Sequence, residues 1–150
     1  MKAKWFWLVR WMCRLLCMLF FRMRTYGREN IPSKGPFLLI SNHQSYLDPV
    51  LCACPIKRRV GFLARESLFT HWLFGGMIRS VGTIPLKLGE ADLSAMRKVI
   101  DVLKQGRGVC LFPEGTRSAD GKITPFKSAD ALQAVPKRWP PIMVNLQLPK

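Results

Sequence analysis

Two short segments of the sequence combine residue types that could move a proton beside an anionic ligand. The first is Asn42–Asp48 (NHQSYLD), which places His43 and Asp48 within one tight turn. A carboxylate that holds one imidazole nitrogen fixes the tautomer and leaves the other nitrogen free to accept a proton. The alternative is an ordinary helix start, in which Asp48 is the N-cap before Pro49, or forms a capping box with Ser45. His43 would then only lie on the surface.

The second segment is Phe112–Ser118 (FPEGTRS), whose proline and glycine predict a turn. Backbone N–H groups of such a turn, together with the hydroxyls of Thr116 and Ser118, can form an anion-binding nest. Arg117 adds a planar donor fork that suits a phosphate. The alternative is a loop with a solvated charge pair. Neither segment has a set of metal ligands around it, so we expect no metal and no cofactor.

Short apolar runs between turn residues predict the elements that must position these segments. A helix is predicted over Glu90–Gln105, ended by Gly106. Alternating helices and strands predict an α/β fold with a mixed, largely parallel sheet flanked by helices. Such sheets carry their sites beyond the carboxyl ends of the strands, where both segments fall. The predicted strands are Phe37–Ile40, Arg59–Ala64, Val81–Pro85, Val109–Phe112 and Ile142–Leu146.

The composition fits one cationic globular domain. The 150 residues include 24 Lys and Arg against 9 Asp and Glu, a net charge of +15, and 49% are apolar, which excludes a disordered basic tail. Such a charge implies an anionic partner: a membrane surface, a phosphorylated substrate or nucleic acid. The basic residues are dispersed and no recognition motif is present, so we do not expect nucleic acid. The 5 scattered cysteines indicate reduced thiols in a cytoplasm.

The N-terminal segment is apolar from Trp5 to Phe21 except for Arg10 and Arg14. Inserting two central arginines costs about 5–7 kcal/mol, whereas the leucine, valine and phenylalanine residues return about 4 kcal/mol, which disfavours a spanning helix. The arginines share one helical face and can reach lipid headgroups. We therefore predict that residues 1–26 form a membrane-associated helix lying in the surface or dipping into one leaflet. A signal peptide and an ordinary core helix are the alternatives.

The pattern N-H-x-x-x-x-D followed further along by F-P-E-G-T-R-S resembles the 1-acylglycerol-3-phosphate acyltransferases, also called lysophosphatidic acid acyltransferases. The similarity runs from about Gly27 to Phe126. A third block, Phe62–Leu68, is similar to one in which the family has a phosphate-binding lysine, and Arg65 stands at that position. In a fourth, Gly82–Gly89, Leu88 stands where the family usually has arginine.

The resemblance implies transfer of a fatty acyl group from acyl-CoA or acyl-ACP to the sn-2 hydroxyl of lysophosphatidate, giving phosphatidate in phospholipid biosynthesis. It also implies an anionic membrane surface as partner, on the cytoplasmic face of the cell inner membrane. His43 would be the general base and Asp48 its orienting partner, with Glu114 positioning the acceptor or an arginine. The residues implied to bind the acceptor, besides Glu114, are Arg65, Gly115, Thr116 and Arg117.

Beyond Phe126 the sequence departs from the family pattern. Ala129 stands in place of a glycine, and the helix predicted at Ala131–Val135 stops at Pro136. We therefore expect residues 27–150 to be an acyltransferase domain that is incomplete at its C-terminus. A catalytically inactive membrane-binding fragment, or an enzyme acting on another lysophospholipid, is the alternative.

Overall fold

The computed structural model describes residues 3–86, 93–118, 139 and 141–146. The predicted helix at 131–135, and the positions of Lys87 and Leu88, lie outside these residues. Short 3-10 turns are present at Arg28–Asn30 and Glu66–Phe69. The longer elements are, in chain order, α1 (Ala3–Phe21), β1 (Phe37–Ser41), α2 (Asp48–Ala53), β2 (Val60–Arg65), α3 (Trp72–Ser80), β3 (Ile84–Leu86), α4 (Leu93–Lys104), β4 (Gly108–Leu111) and β5 (Pro141–Val144).

The described strands form one sheet in the order β3-β2-β4-β1-β5, and every neighbouring pair among them is parallel. The α/β prediction is confirmed, and the antiparallel component of a mixed sheet is not found among these strands. The third strand begins later than predicted, at Ile84. Val81 and Gly82 instead end α3, because their N–H groups bond to carbonyls of that helix and Gly82 has φ 84°.

The core lies on both faces of the central strands. Along β1, Leu38 and Ile40 pack with α4, whereas Phe37 and Leu39 pack on the opposite face with Cys52 of α2. Successive residues of a strand point to opposite faces, and a parallel sheet covered by helices buries both. All five residues of β1 are buried. Strand β1, which leads into the segment Asn42–Asp48, is therefore packed on both faces.

Helix α1 packs on the domain through a narrow set of contacts. Phe6 and Cys17 are buried, Trp5 Nε1 donates to Ser80 Oγ at 3.3 Å, and an Nη2 hydrogen of Arg10 is donated to the Cys54 carbonyl at 2.9 Å. No helix in the described part of the chain has the length and hydropathy needed to cross a membrane. Many large apolar residues of α1 are exposed: Trp5, Trp7, Leu8, Trp11, Met12, Leu15, Leu16, Met18, Leu19, Phe20 and Phe21.

Candidate active site

The two chemical segments meet at the carboxyl edge of the sheet. The first follows β1 and the second follows β4, and these strands are parallel neighbours. The His43 N–H donates to Glu114 Oε1 at 3.0 Å, and the Ser118 N–H donates to the His43 carbonyl at 2.8 Å. Both main-chain groups of His43 are therefore bonded to the second segment. The structure brings together the segments that the sequence predicted to share this edge.

The side chains of His43 and Asp48 form a hydrogen-bonded pair. Nδ1 of His43 lies 2.8 Å from Oδ2 of Asp48. Asp48 is fully buried, whereas the His43 side chain is 20% exposed, so the imidazole links a buried carboxylate to the surface. This is the arrangement in which the distal nitrogen, Nε2, can reach a substrate.

Asp48 also organises the turn that carries His43. Oδ2 accepts the main-chain N–H groups of Gln44, at 2.5 Å, and Ser45, at 2.8 Å. Helix α2 begins at Asp48 itself, with Leu47 in the cap position, so Asp48 is not the N-cap. Its bond back to Ser45 is the reciprocal half of a capping box, while Ser45 Oγ accepts the Leu47 N–H at 3.2 Å. The carboxylate of Asp48 therefore does both things that the sequence suggested: it stabilises the start of the helix and it orients His43.

The electrostatics of the pair favour an ionised aspartate. Burial raises the pKa of Asp48, but the hydrogen bonds from His43, Ser45 and Gln44 outweigh it and hold that pKa below its ordinary value. An ionised carboxylate only accepts hydrogen bonds, so the proton between the two side chains belongs to Nδ1 of His43. In the neutral imidazole this arrangement leaves the lone pair on Nε2.

The imidazole is also fixed by aromatic packing. The His43 and Phe112 rings stack with centroids 4.4 Å apart and planes inclined by 25°. Phe112 in turn lies 6.5 Å from the ring of Phe62, in β2. Phe112 is the first residue of the second segment, so that segment holds the ring of His43 as well as its main chain. Among the described residues, no group of three or more His, Cys, Asp or Glu side chains could hold a metal ion.

Glu114 lies inside the molecule rather than at the open face of the site. Its side chain is fully buried, and Oε1 accepts the His43 N–H. The resemblance implied that Glu114 positions the acceptor or an arginine. The contact observed here positions the main chain of His43, and the role toward the acceptor or an arginine stays a prediction.

The turn after Glu114 depends on Gly115, which has φ 69°, a conformation that favours glycine. The Gly115 N–H donates to the Phe112 carbonyl at 3.1 Å, and the Ser118 N–H is engaged by His43. These two donors are therefore occupied and do not contribute to an anion nest. The Thr116 hydroxyl and the Arg117 guanidinium remain as exposed donors of this turn.

Arg117 packs against the first segment through Tyr46. Its guanidinium carbon lies 3.6 Å from the centroid of the Tyr46 ring, and Nη2 donates to the Tyr46 hydroxyl at 2.9 Å. Stacking fixes the plane of the guanidinium and leaves other donors of the fork facing outward. Arg65 is the last residue of β2, the strand on the other side of β4, and is exposed at the same edge.

Sequence reasoning missed three residues that shape the site: Asn42, Tyr46 and Phe112. Asn42 Nδ2 donates to the Leu146 carbonyl at 2.9 Å, and the Leu146 N–H donates to Asn42 Oδ1 at 2.7 Å. All three lie within or at the start of the two segments quoted above. Their position in these segments could have marked them as site residues. Their partners are distant in sequence and could not be identified from the sequence.

The described α/β sheet thus carries a hydrogen-bonded histidine–aspartate pair and an exposed arginine at its carboxyl edge, an arrangement that suits general-base chemistry beside an anion. A family model described as Acyltransferase matches residues 22–137, and the chain belongs to this family.

Relatives of known name support the same assignment. The chain is 30% identical over 130 residues to the chloroplastic 1-acyl-sn-glycerol-3-phosphate acyltransferase BAT2 of Brassica napus, covering 85% of this chain and 38% of the relative. It is 32% identical over 135 residues to 1-acyl-sn-glycerol-3-phosphate acyltransferase alpha of Homo sapiens, and the match covers 83% of this chain and 46% of that relative. The chain thus spans less than half the length of these two relatives.

A solved structure has the same fold. The crystal structure of the 1-acyl-sn-glycerophosphate (LPA) acyltransferase PlsC from Thermotoga maritima matches with a TM-score of 0.69 and 30% sequence identity, covering 89% of this chain and 56% of that one. The described α/β sheet is therefore a fold that this acyltransferase family uses.

Proposed function

We propose that this chain carries the catalytic residues of an enzyme that transfers a fatty acyl group from an acyl thioester to the sn-2 hydroxyl of lysophosphatidate, giving phosphatidate. The observation that most supports this proposal is the 2.8 Å contact between His43 and the buried Asp48. It lies at the carboxyl edge of the sheet, where Arg117 is exposed. The names of the relatives support lysophosphatidate as the acceptor class. The donor is acyl-CoA or acyl-ACP, and the product serves phospholipid biosynthesis.

The geometry favours direct attack by the acceptor hydroxyl. An alcohol is a weak nucleophile at neutral pH, and a positioned histidine contributes about 10²–10⁴-fold by accepting its proton. Nε2 of His43 takes the hydroxyl proton as the oxygen attacks the thioester carbonyl carbon. The tetrahedral intermediate then breaks its C–S bond, and the leaving sulfur takes the proton back from His43. The products are the new ester and a free thiol.

The buried carboxylate stabilises the step in which His43 carries a positive charge. Asp48 does not need to take a proton itself, because its lowered pKa keeps it ionised while Nδ1 remains its donor. A cysteine acyl-enzyme is not favoured, since Cys52 and Cys110, which pack near the site, are 3% and 0% exposed. The acyl group therefore passes to the acceptor without a covalent intermediate on the chain.

The acceptor's phosphate is assigned to the exposed cationic side of the site. Arg117 and Thr116 lie on the turn after β4, and Arg65 lies at the end of the adjacent strand. Charge-assisted bonds from an arginine fork to phosphate oxygens are among the stronger polar contacts in proteins. A phosphate held there places a nearby hydroxyl at the edge of the sheet where His43 is accessible.

We also propose that residues 1–26 hold the site against an anionic membrane, on the cytoplasmic face of the inner membrane. The exposed residues of α1 include Trp5, Trp7 and Trp11, a residue type that favours the headgroup region. A net charge of +15 raises the local concentration of anionic lipid and of an anionic acyl carrier. A lysolipid would then be presented to His43 without leaving the leaflet.

The test is thiol release from acyl-CoA in the presence of lysophosphatidate. We expect release by the full chain and its loss in His43→Ala. The matched control is His71→Ala, which removes the other histidine, an exposed residue outside the two segments. Absence of release from a folded sample would overturn the enzymatic proposal. Salt-sensitive vesicle binding that persists in that sample, and in His43→Ala, would instead identify an inactive membrane-binding fragment.

A further inference from the structure

A groove of about 170 Å³ lies between α1, the segment after it and the end of α2. One water molecule needs only about 10–15 Å³ of such space, so the groove can admit a phosphate together with the glycerol that carries it. The groove is lined by Arg14, Met18, Met23, Thr25, Arg28 and Pro55.

This groove is separate from the site at His43. Helix α2 begins at Asp48 and leads away from the carboxyl edge, and Pro55 lies beyond its last residue, Ala53. At 1.5 Å per helical residue, Pro55 is roughly 10 Å from Asp48 along the helix direction. None of the lining residues belongs to segments 42–48 or 112–118. A ligand in the groove would therefore not occupy the proposed acceptor site.

The groove carries positive charge with no internal counterion. In the part of the chain that the structure describes, neither Arg14 nor Arg28 has a hydrogen-bonding or ion-pairing partner for its guanidinium. Burial, and next the charge of Arg14, lower the pKa of Arg10 one helical turn away. Arg10 does not line the groove, but its charge adds to that of Arg14 and Arg28, and this positive potential would stabilise an anion there.

The remaining lining residues suit a ligand that has an apolar part. Thr25 offers a hydroxyl, whereas Met18 and Met23 offer flexible apolar walls. Met18 is 52% exposed and continues into the exposed apolar surface of α1, which includes Leu19. Free phosphate would leave these walls in contact with water, whereas a phospholipid would cover them with its glycerol and first methylene groups.

We propose that this groove binds the phosphate of a membrane phospholipid, in addition to the acceptor bound near His43. Arg14 and Arg28 bond the phosphate oxygens, Thr25 donates its hydroxyl, and the methionines contact the glycerol backbone. Such a lipid would fix the rotation of α1 about its own axis at the membrane surface. This inference rests on the proposed membrane association of α1 and does not depend on the proposed acyl transfer.

The test compares vesicle binding by the full chain and two charge-matched double variants. Arg14→Gln/Arg28→Gln removes both groove arginines, and the control Arg22→Gln/Arg24→Gln removes two exposed arginines of the same region that do not line the groove. Vesicles of phosphatidylcholine alone are compared with vesicles that also contain phosphatidylglycerol, a diester that is neither the proposed substrate nor its product.

We expect the control to lose roughly fivefold in affinity for anionic vesicles per charge removed, the effect of surface attraction alone. The groove variant should lose about tenfold more, because it also loses charge-assisted hydrogen bonds. Equal losses in the two variants would overturn the groove as a specific site. Failure of the unsubstituted chain to bind any vesicle would overturn this inference and the membrane proposal, while thiol release would remain a separate test of the enzyme.

A second measurement separates a lipid from free phosphate. Short-chain phosphatidylglycerol below its micelle concentration should raise the unfolding temperature of the full chain but not of Arg14→Gln/Arg28→Gln, if both are folded by circular dichroism. An equal rise with inorganic phosphate at the same concentration would show that the groove recognises only the anion, and would overturn the lipid assignment.

Discussion

Replacement of Asp48 by asparagine removes the charge that holds His43 in its proposed base tautomer. Oδ2 accepts the Nδ1 hydrogen at 2.8 Å together with the N–H groups of Gln44 and Ser45. An asparagine in the same place has one carbonyl oxygen for these three donors, and its amide group would favour the wrong imidazole tautomer. We therefore expect Asp48→Asn to lose most of the contribution of His43, roughly 10²–10⁴-fold in thiol release. That loss corresponds to about 3–5 kcal/mol of transition-state stabilisation.

A double variant tests the dependence of Asp48 on His43 more directly than the single variant does. Because Asp48 acts through His43, the double variant His43→Ala/Asp48→Asn should be no slower than His43→Ala alone. Losses that multiply in the double variant would refute this reasoning. Ser45→Ala is the matched control, since among the described residues its Oγ bonds the Leu47 N–H of the same turn and not the His43–Asp48 pair, and it should retain activity. Thermal unfolding of each variant establishes that the turn remains folded.

Three further outcomes follow from contacts at the site. Tyr46→Ala removes the stacking that orients Arg117, worth about 0.5–1 kcal/mol at an exposed site, and should raise KM for lysophosphatidate roughly 2–5-fold without changing kcat. In steady-state kinetics Tyr46→Phe should change KM less, and an unchanged KM in the alanine variant would contradict the role. Glu114→Ala removes the acceptor of the part-buried His43 N–H and should lower the free energy of unfolding by about 1–3 kcal/mol more than Glu114→Gln, measured in urea. Equal values for the two variants would count against the contact. The lowered pKa of Asp48 stabilises the fold above the ordinary carboxyl pKa of about 3.9, and this stability is lost as pH falls through the folded pKa. Asp48→Asn should therefore flatten the acid limb of stability against pH, and an identical slope in both proteins would exclude the effect.

The location of the site was predictable because it depends on local signals. The apolar runs that became β1 and β4 are each followed at once by their polar segment, and parallel strands end at the same edge. The pairing of His43 with Asp48 depends on residues in one turn, so spacing alone limits their separation. The helix α4 was predictable from its apolar face and from Gly106, which has φ 74° after it.

What the sequence could not provide was the identity of distant partners. Glu114 is a charged residue on a turn, and nothing local indicates that its carboxylate is buried against the N–H of His43. The pairing of Tyr46 with Arg117 likewise joins two exposed residues from different segments. Val81 and Gly82 fall within the third predicted strand, but their N–H groups bond to the carbonyls of Met77 and Arg79 and end α3, which is a local signal that a glycine after a helix provides. Propensity describes a residue's neighbours along the chain, whereas the contacts of Glu114 with His43 and of Tyr46 with Arg117 depend on the packed sheet.

The reciprocal amide bonds between Asn42 and Leu146 have a consequence for sequence variation. The side-chain amide of Asn42 bonds the main-chain carbonyl and N–H of Leu146, so these two bonds depend on where that backbone lies and not on the side chain attached to it. The Leu146 side chain packs against the core that contains Phe37 and Leu39, so an apolar replacement there would keep both this packing and the bonds to Asn42, provided that β5 keeps its alignment with β1. Inserting or deleting a single residue within β5 would displace both bonds at once. The two bonds are therefore compatible with apolar substitution at the half-buried positions of β5, whereas a change in the length of β5 would break them.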